Sequence, residues 1–254
     1  MGVLRDLLHA AAGAPPLVAS AVVAGPRFTA LVGAAAPAAP ATAAGVAYTG
    51  AGEIDASYDA VAATRALESE SLGRPLLDLA GQVVAGRQDL GAAALNALLG
   101  VQLRAAGSRL GDENGLDLLA QQCAGRRLAV VGQFPYLKTI RVEAAQSWVL
   151  ELRPDGDELP AAAAPEIIPQ ADVVGITGST LANGTLQGLL DLCRPDAFVV
   201  LIGPTAPLSP VLFDYGVDVI CGAVADDPLA TLQALSAEAS TRRVPGMKQV
   251  SLRR

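Results

Sequence analysis

A chain of 254 residues that is 52% hydrophobic, 17% charged and 4% aromatic can bury a sizeable core and is too apolar to stay disordered. A net charge of −7, with the Arg pairs Arg126-Arg127, Arg242-Arg243 and Arg253-Arg254 scattered rather than striped, argues against a nucleic-acid partner. A single histidine, His9, and three distant cysteines, Cys123, Cys193 and Cys221, argue against a histidine-based hydrolase, a disulfide framework and a zinc site.

The chain begins with two uncharged stretches, residues 7–26 and 28–52, broken by Pro15, Pro16, Pro26, Pro37 and Pro40. Neither is the continuous apolar span of about 20 residues that a membrane helix needs, so no membrane partner is expected. "VASAVVA" (18–24) faintly resembles a signal cleavage region, but the residues before it carry Arg5 and Asp6, and the cytoplasm is the expected location. "FTALVG" (28–33) and "GVAYTG" (45–50) predict two paired strands, followed by helices over 58–72, 75–85 and 90–104. The last of these helices, "LGAAALNALLGVQLR", is mostly small and apolar, so it should pack closely against another element. "GSRLGDEN" (107–114) is the linker candidate. It divides the chain into a small α+β domain, 1–106, and a second domain, 107–254.

From the helix predicted at 115–123 onward the pattern becomes regular. "RLAVVG" (127–132), "SWVLEL" (147–152), "ADVVGITG" (171–178), "AFVVLIG" (197–203) and "DVICGAV" (218–224) are short, near-continuous apolar runs. Such runs are typical of strands buried on both faces. Helical segments at 186–193 and 228–239 alternate with them, and "KQVSLRR" could add an edge strand. The prediction is an α/β protein with a Rossmann-like, open, mostly parallel, doubly wound sheet.

In such a sheet ligands sit beyond the carboxyl ends of the strands, so the loops there hold the candidate residues. The first, "GQFPYLK", has Gly132, then Phe134 and Pro135. It lacks the G-x-G-x-x-G that ordinary NAD binding uses. Phe134 and Tyr136 could wall a pocket for a flat group or simply pack the strand–helix corner. Glu151, 19 residues after Gly132, stands where an acid can accept ribose hydroxyls, or is a solvated strand-end carboxylate beside Arg153. The third loop, within "ITGSTLANGTLQGLLDL", supplies Thr177, Gly178, Ser179, Thr180, Asn183, Gly184 and Thr185. Ser179 or Thr180 could cap the next helix, and the remaining polar groups exceed what a cap needs, which points to an anionic ligand. The fourth, "GPTAPLSPVLFDYG", offers Gly203, Pro204, Thr205 and Ser209 as a stiff rim, with Asp214 the nearest acid. No nucleophile–histidine–acid set is visible, and Cys193 and Cys221 read as small core residues.

"VVGQFPYL" (130–137), "WVLELRP" (148–154), "IPQADVVGITGSTLANGTL" (168–186), "VVLIGPTAPLSPVLFDYGVDVICG" (199–222) and the closing "VSLRR" resemble a bacterial and archaeal family of unknown function named for heavy-metal chelation. Residues 28–103, with "AAALNAL" at 92–98, resemble its companion domain, which is similar to the N-terminal domain of enolase. The resemblance implies a Rossmann-like carboxy-terminal domain and an interdomain cleft completed in a homodimer. A metal chelate carried by an organic ligand suits these loops better than a naked ion, and no metal ligands are assigned.

Three readings stay open. The protein binds or transforms an anionic small molecule or metal chelate of metallophore metabolism. Alternatively it uses a nucleoside-type cofactor such as S-adenosylmethionine, with Glu151 on the ribose. In the third reading it is a non-catalytic scaffold or dimerisation protein.

Overall fold

The computed structural model describes residues 2–36, 39, 41–49, 58–83, 88–236 and 244–254. Helix α1 (Val3–Ala11) precedes three strands, β1 (Val18–Ala24), β2 (Phe28–Ala34) and β3 (Ala41–Tyr48). These form an antiparallel meander in the order β1-β2-β3. The expected two-stranded pairing is therefore three-stranded. Its extra strand is "VASAVVA", whose small and β-branched residues pair with β2, with Ala19, Val22, Val23 and Ala24 buried. Helices α2 (Ala60–Ser71), α3 (Leu76–Ala80) and α4 (Gln88–Ala105) follow.

Helix α4 lies against β3 at backbone distance: a Cβ on Gly45 would fall 1.9 Å from the Ala93 carbonyl oxygen. Its run of Ala92, Ala93, Ala94 and Ala97, all buried, is what permits that approach. Residue 50 of the strand predicted at 45–50, residues 84–85 of the helix at 75–85 and residues 237–239 of the helix at 228–239 lie outside the described residues. So do Pro37, Pro40 and the Arg242-Arg243 pair.

The second half contains α5 (Gly115–Cys123), β4 (Arg127–Val131), α6 (Leu137–Arg141), β5 (Gln146–Glu151) and a two-residue β6 (Leu159–Pro160). Next come α7 (Ala164–Ile167), β7 (Val173–Thr177), α8 (Ser179–Ala182), α9 (Leu186–Asp191), β8 (Phe198–Ile202), β9 (Val219–Ala225), α10 (Pro228–Ser236) and β10 (Met247–Arg253). One seven-stranded sheet results, in the order β10-β9-β8-β7-β4-β5-β6. Every pairing is parallel except that of the edge strand β10 with β9. Counted from β4, the first six strands run 3-2-1-4-5-6, the doubly wound order. The crossover reverses between β4 and β7, which makes that junction the switch point.

Alternation along the strands sends Leu128 and Val130 to the face covered by α5 and α6. Ala129 and Val131 go to the opposite face, where they join a core that runs without a break into the first half of the chain. The halves also interlock. Helix α1 packs on α9 and on the 3-10 helix Pro210–Tyr215, while α10 lies across the small sheet. Leu235 of α10 is buried there with Ala30 and Val46. The linker stretch 107–114 is pinned rather than loose. Gly111 exchanges both backbone hydrogen bonds with Ser251 at 2.9 Å, Glu113 pairs with Arg253, and the Asn114 side chain caps α5.

Candidate functional site

The carboxyl ends of the parallel strands open into a cleft of about 1620 Å³ that the first half roofs over. At the switch point Gly132 leaves β4 with φ 107°, and a Cβ there would lie 2.8 Å from both Cβ and Cγ2 of Thr177, the last residue of β7. Only glycine meets both demands, the positive φ and the close approach. Gly178 is required differently: its Cβ would sit 2.2 Å from the Ala206 backbone nitrogen. Gly203, with φ 115°, ends β8 facing open space.

Of the residues singled out in the sequence, Gly132, Phe134, Pro135, Glu151, Thr177, Gly178, Ser179, Thr180, Asn183, Thr185, Gly203, Pro204 and Thr205 line this one cleft. Gly184, Ser209 and Asp214 do not. Ser209 is buried and caps the 3-10 helix, accepting a bond from the Val211 N–H; Asp214 is exposed on that helix. The proline-rich loop is not a rim along its length, because residues 205–209 run buried beneath the first half.

The polar loop after β7 works differently from a backbone cradle. Its two helices have only four and six residues, too short for a strong terminal field. Its amides are largely spent internally. Gly178 N–H donates to Ile202 O, Asn183 to Ser179 O, Gly184 to Leu181 O and Thr185 to Thr180 O. Neither Ser179 nor Thr180 caps a helix; the buried Thr180 hydroxyl donates to Thr177 O at 2.6 Å. The Asn183 amide oxygen accepts from both the N–H and the hydroxyl of Thr185. What reaches the cleft is side-chain chemistry, chiefly the Thr177 and Ser179 hydroxyls 3.0 Å apart.

Thr205 joins the two halves. Its hydroxyl accepts from the Tyr48 N–H at 2.9 Å, and its carbonyl accepts from the Asn96 amide, which also donates to Val46 O. Glu151, half-buried at the end of β5, accepts from the Leu152 N–H through one oxygen and forms no ion pair with Arg153 among the described residues.

Several lining residues were not anticipated. The first half contributes Arg27, Phe28, Tyr48 and Asp89, and the second adds Arg153, Lys248 and Cys221. One signal for the first of them was in plain view: Arg27 is the only charged residue between Asp6 and Glu53. Arg27, Arg153 and Lys248 are exposed at the cleft and form no ion pair among the described residues. Asp89 is held by the fully buried Thr29, whose hydroxyl donates to it at 2.7 Å. Glu113, by contrast, is neutralised by Arg253, and that pairing holds its carboxyl below the usual range.

The donor set does not fit a bare heavy-metal ion. Among the described residues no three or more His, Cys, Asp or Glu side chains converge to hold one. Burial pushes the thiols of Cys193 and Cys221 up to about 12 and raises that of Cys123, and of the three only Cys221 lines the cleft. Among the described residues no helix is long and apolar enough to cross a membrane.

No curated protein is similar in sequence to this chain. Two solved structures share its fold over nearly their whole length. A DUF364 protein of unknown function from Desulfitobacterium hafniense is 23% identical with a TM-score of 0.79, covering 99% of this chain and 98% of its own. One from Pyrococcus horikoshii is 21% identical with a TM-score of 0.76 over the same shares. The DUF364 family model, described as "Putative heavy-metal chelation", matches residues 114–253, which hold the whole parallel sheet and the strand-end loops of the cleft. The chain belongs to the DUF364 family.

Proposed function

We propose that the protein binds an anionic organic molecule, free or as a metal chelate, in the cleft at the carboxyl ends of the parallel strands. One observation carries this reading. In a chain of net charge −7, Arg27, Arg153 and Lys248, which form no ion pair among the described residues, come from three separate segments to line the switch-point cleft. Cations lining a concave site draw in anions, and these three outnumber Asp89 and Glu151, the two lining carboxylates with no ion pair among the described residues. With the loop amides spent, these side chains are the groups available to hold a negative charge, and a chelate brings its own metal ligands. Thermal-shift and calorimetric screening with organic polycarboxylates, with and without bound metal, tests it. A ligand at about 100 times its dissociation constant adds about 2.7 kcal/mol of stability. Arg27→Gln combined with Lys248→Gln should abolish the gain while leaving the unliganded melting temperature nearly unchanged; binding that survives in the double variant sinks the reading.

Glu151 supports a second reading. It ends the second strand of a 3-2-1-4-5-6 sheet beside the switch point, where an acid can accept ribose hydroxyls, and one of its oxygens is uncommitted. A nucleoside-type ligand such as S-adenosylhomocysteine would then bind and lose affinity in Glu151→Ala. Unchanged affinity in that variant removes this alternative. The scaffold reading predicts no stabilisation by any of these compounds.

A further inference from the structure

The chain holds four phenylalanines, four tyrosines and one tryptophan, and three of these rings, Phe28, Tyr48 and Phe134, line the cleft. Phe28 opens β2 and Tyr48 closes β3, and the register makes them direct cross-strand partners. Their rings meet edge to face, with centroids 5.9 Å apart and planes at 77°. Both are half-buried, anchored in the fold, and line the cleft. Strand-end rings fixed by register have little rotamer freedom left to lose when a ligand packs on them. Arg27 precedes Phe28 directly and lines the same cleft, so a charge and a ring surface are presented by adjacent residues of the first half.

We propose that the first half reads a planar ring: the ligand is an aromatic anion whose ring packs on Phe28 and Tyr48 and whose negative substituent meets Arg27. The proposal rests on the anion-binding reading above and narrows its substrate class. Phe134, on the loop after β4, extends the apolar lining from the other half of the chain.

The test uses the full chain and pairs of probes that carry the same charges and differ in the ring. Naphthalene-2-carboxylate is compared with decahydronaphthalene-2-carboxylate, and benzene-1,3-dicarboxylate with cyclohexane-1,3-dicarboxylate. The saturated bicycle is at least as apolar as the flat one, so a preference for the flat ring reports ring contact rather than hydrophobic transfer. Stacking on aromatic side chains supports an advantage of about 5-fold or more in dissociation constant for the ring-bearing member of each pair. Phe28→Leu should reduce that advantage to less than about 2-fold, on the scale of a single aromatic contact. Arg27→Gln should weaken both members alike. If Phe28→Leu fails to fold, Tyr48→Leu reads the same difference from the partner ring. Equal binding of both members, weakened by Arg27→Gln, keeps the anion reading and overturns the ring; an advantage that survives both ring substitutions also overturns it. If no member of either pair binds, the ring proposal falls, and the anion reading is decided separately by the screen of polycarboxylates and their metal chelates.

Discussion

A Cβ placed on Gly132 would lie 2.8 Å from the Cβ of Thr177, so the ends of β4 and β7 meet at the switch point with no room for a side chain between them. The backbone of Gly132 also has φ 107°, outside the range L residues adopt at ease. Gly132→Ala should therefore cost about 1–3 kcal/mol from backbone strain, with the Thr177 contact added. Adding Thr177→Ala should recover only part of the loss, because removing Cγ2 leaves Thr177 Cβ in place. Chemical denaturation of the two variants checks this; a Gly132→Ala protein as stable as the parent contradicts the account.

Thr205→Val should loosen the joint between the halves. The half-buried Tyr48 would lose the Thr205 hydroxyl as acceptor for its N–H, a loss of about 0.5–1.5 kcal/mol for a typical hydrogen bond. Because Tyr48 and Thr205 both line the cleft, affinity for an anionic probe should fall as well. Thr205→Ser, which keeps the hydroxyl, should restore most of both. Failure of the serine variant to rescue would mean that the methyl packing, not the hydrogen bond, holds the joint.

At the opposite end of the sheet Asp172 ties three strand starts together. Its carboxylate accepts from the Arg127 N–H, Nε and Nη2 and from Arg194 Nη1 at 2.8–3.1 Å. The Arg127 side chain, then its backbone N–H, holds the carboxyl well below the usual carboxylate range. A depressed folded-state pKa contributes stability above the unfolded value, near 4, and loses it as the pH falls toward the folded one. The melting-temperature gap between the parent and Asp172→Asn should be constant above about pH 5.5 and shrink steadily below about pH 4. A gap that does not narrow in acid would remove Asp172 from that role.

Cys193 and Cys221 should be poorly reactive although Cys221 lines the cleft. With a thiol pKa pushed up to about 12 by burial, the thiolate fraction at pH 8 is smaller than that of a free cysteine by a factor on the order of a thousand. Native protein should react with a disulfide reagent correspondingly slowly, and all three cysteines should react at normal rates in denaturant. Fast labelling of Cys221 in the native state would contradict its burial.

Local patterning made much of the fold legible. The runs of β4, β7, β8 and β9 are almost wholly apolar because both sheet faces are covered, and that signal survives without knowing what covers them; β5 is apolar only at its centre, Trp148–Leu150. The helix expected at 115–123 forms over Gly115–Cys123, and the structure adds that the Asn114 side chain caps its start. "VASAVVA" was harder to read, because small residues carry little strand signal and its β-sheet partners are settled only by tertiary pairing. The loops at the ends of β4, β7 and β8 were recognisable as cleft residues from strand alternation alone.

What the sequence by itself determined was the βαβ alternation, and with it the strand ends at Gly132, Thr177 and Gly203, since these follow from hydrophobic period and glycine placement. The tertiary structure alone decided the strand order that puts β7 directly against β4 and leaves the two-residue β6 at the far edge beyond β5. It also brought Arg27, Phe28, Tyr48 and Asp89 over those strand ends from residues more than 40 positions away in the chain. Such contacts are set by packing α4 and α10 on the small sheet, a long-range event with no local period to read. The polar loop after β7 was visible as a feature of the cleft, but only its hydrogen bonds show that most of its amides are already donated within the fold.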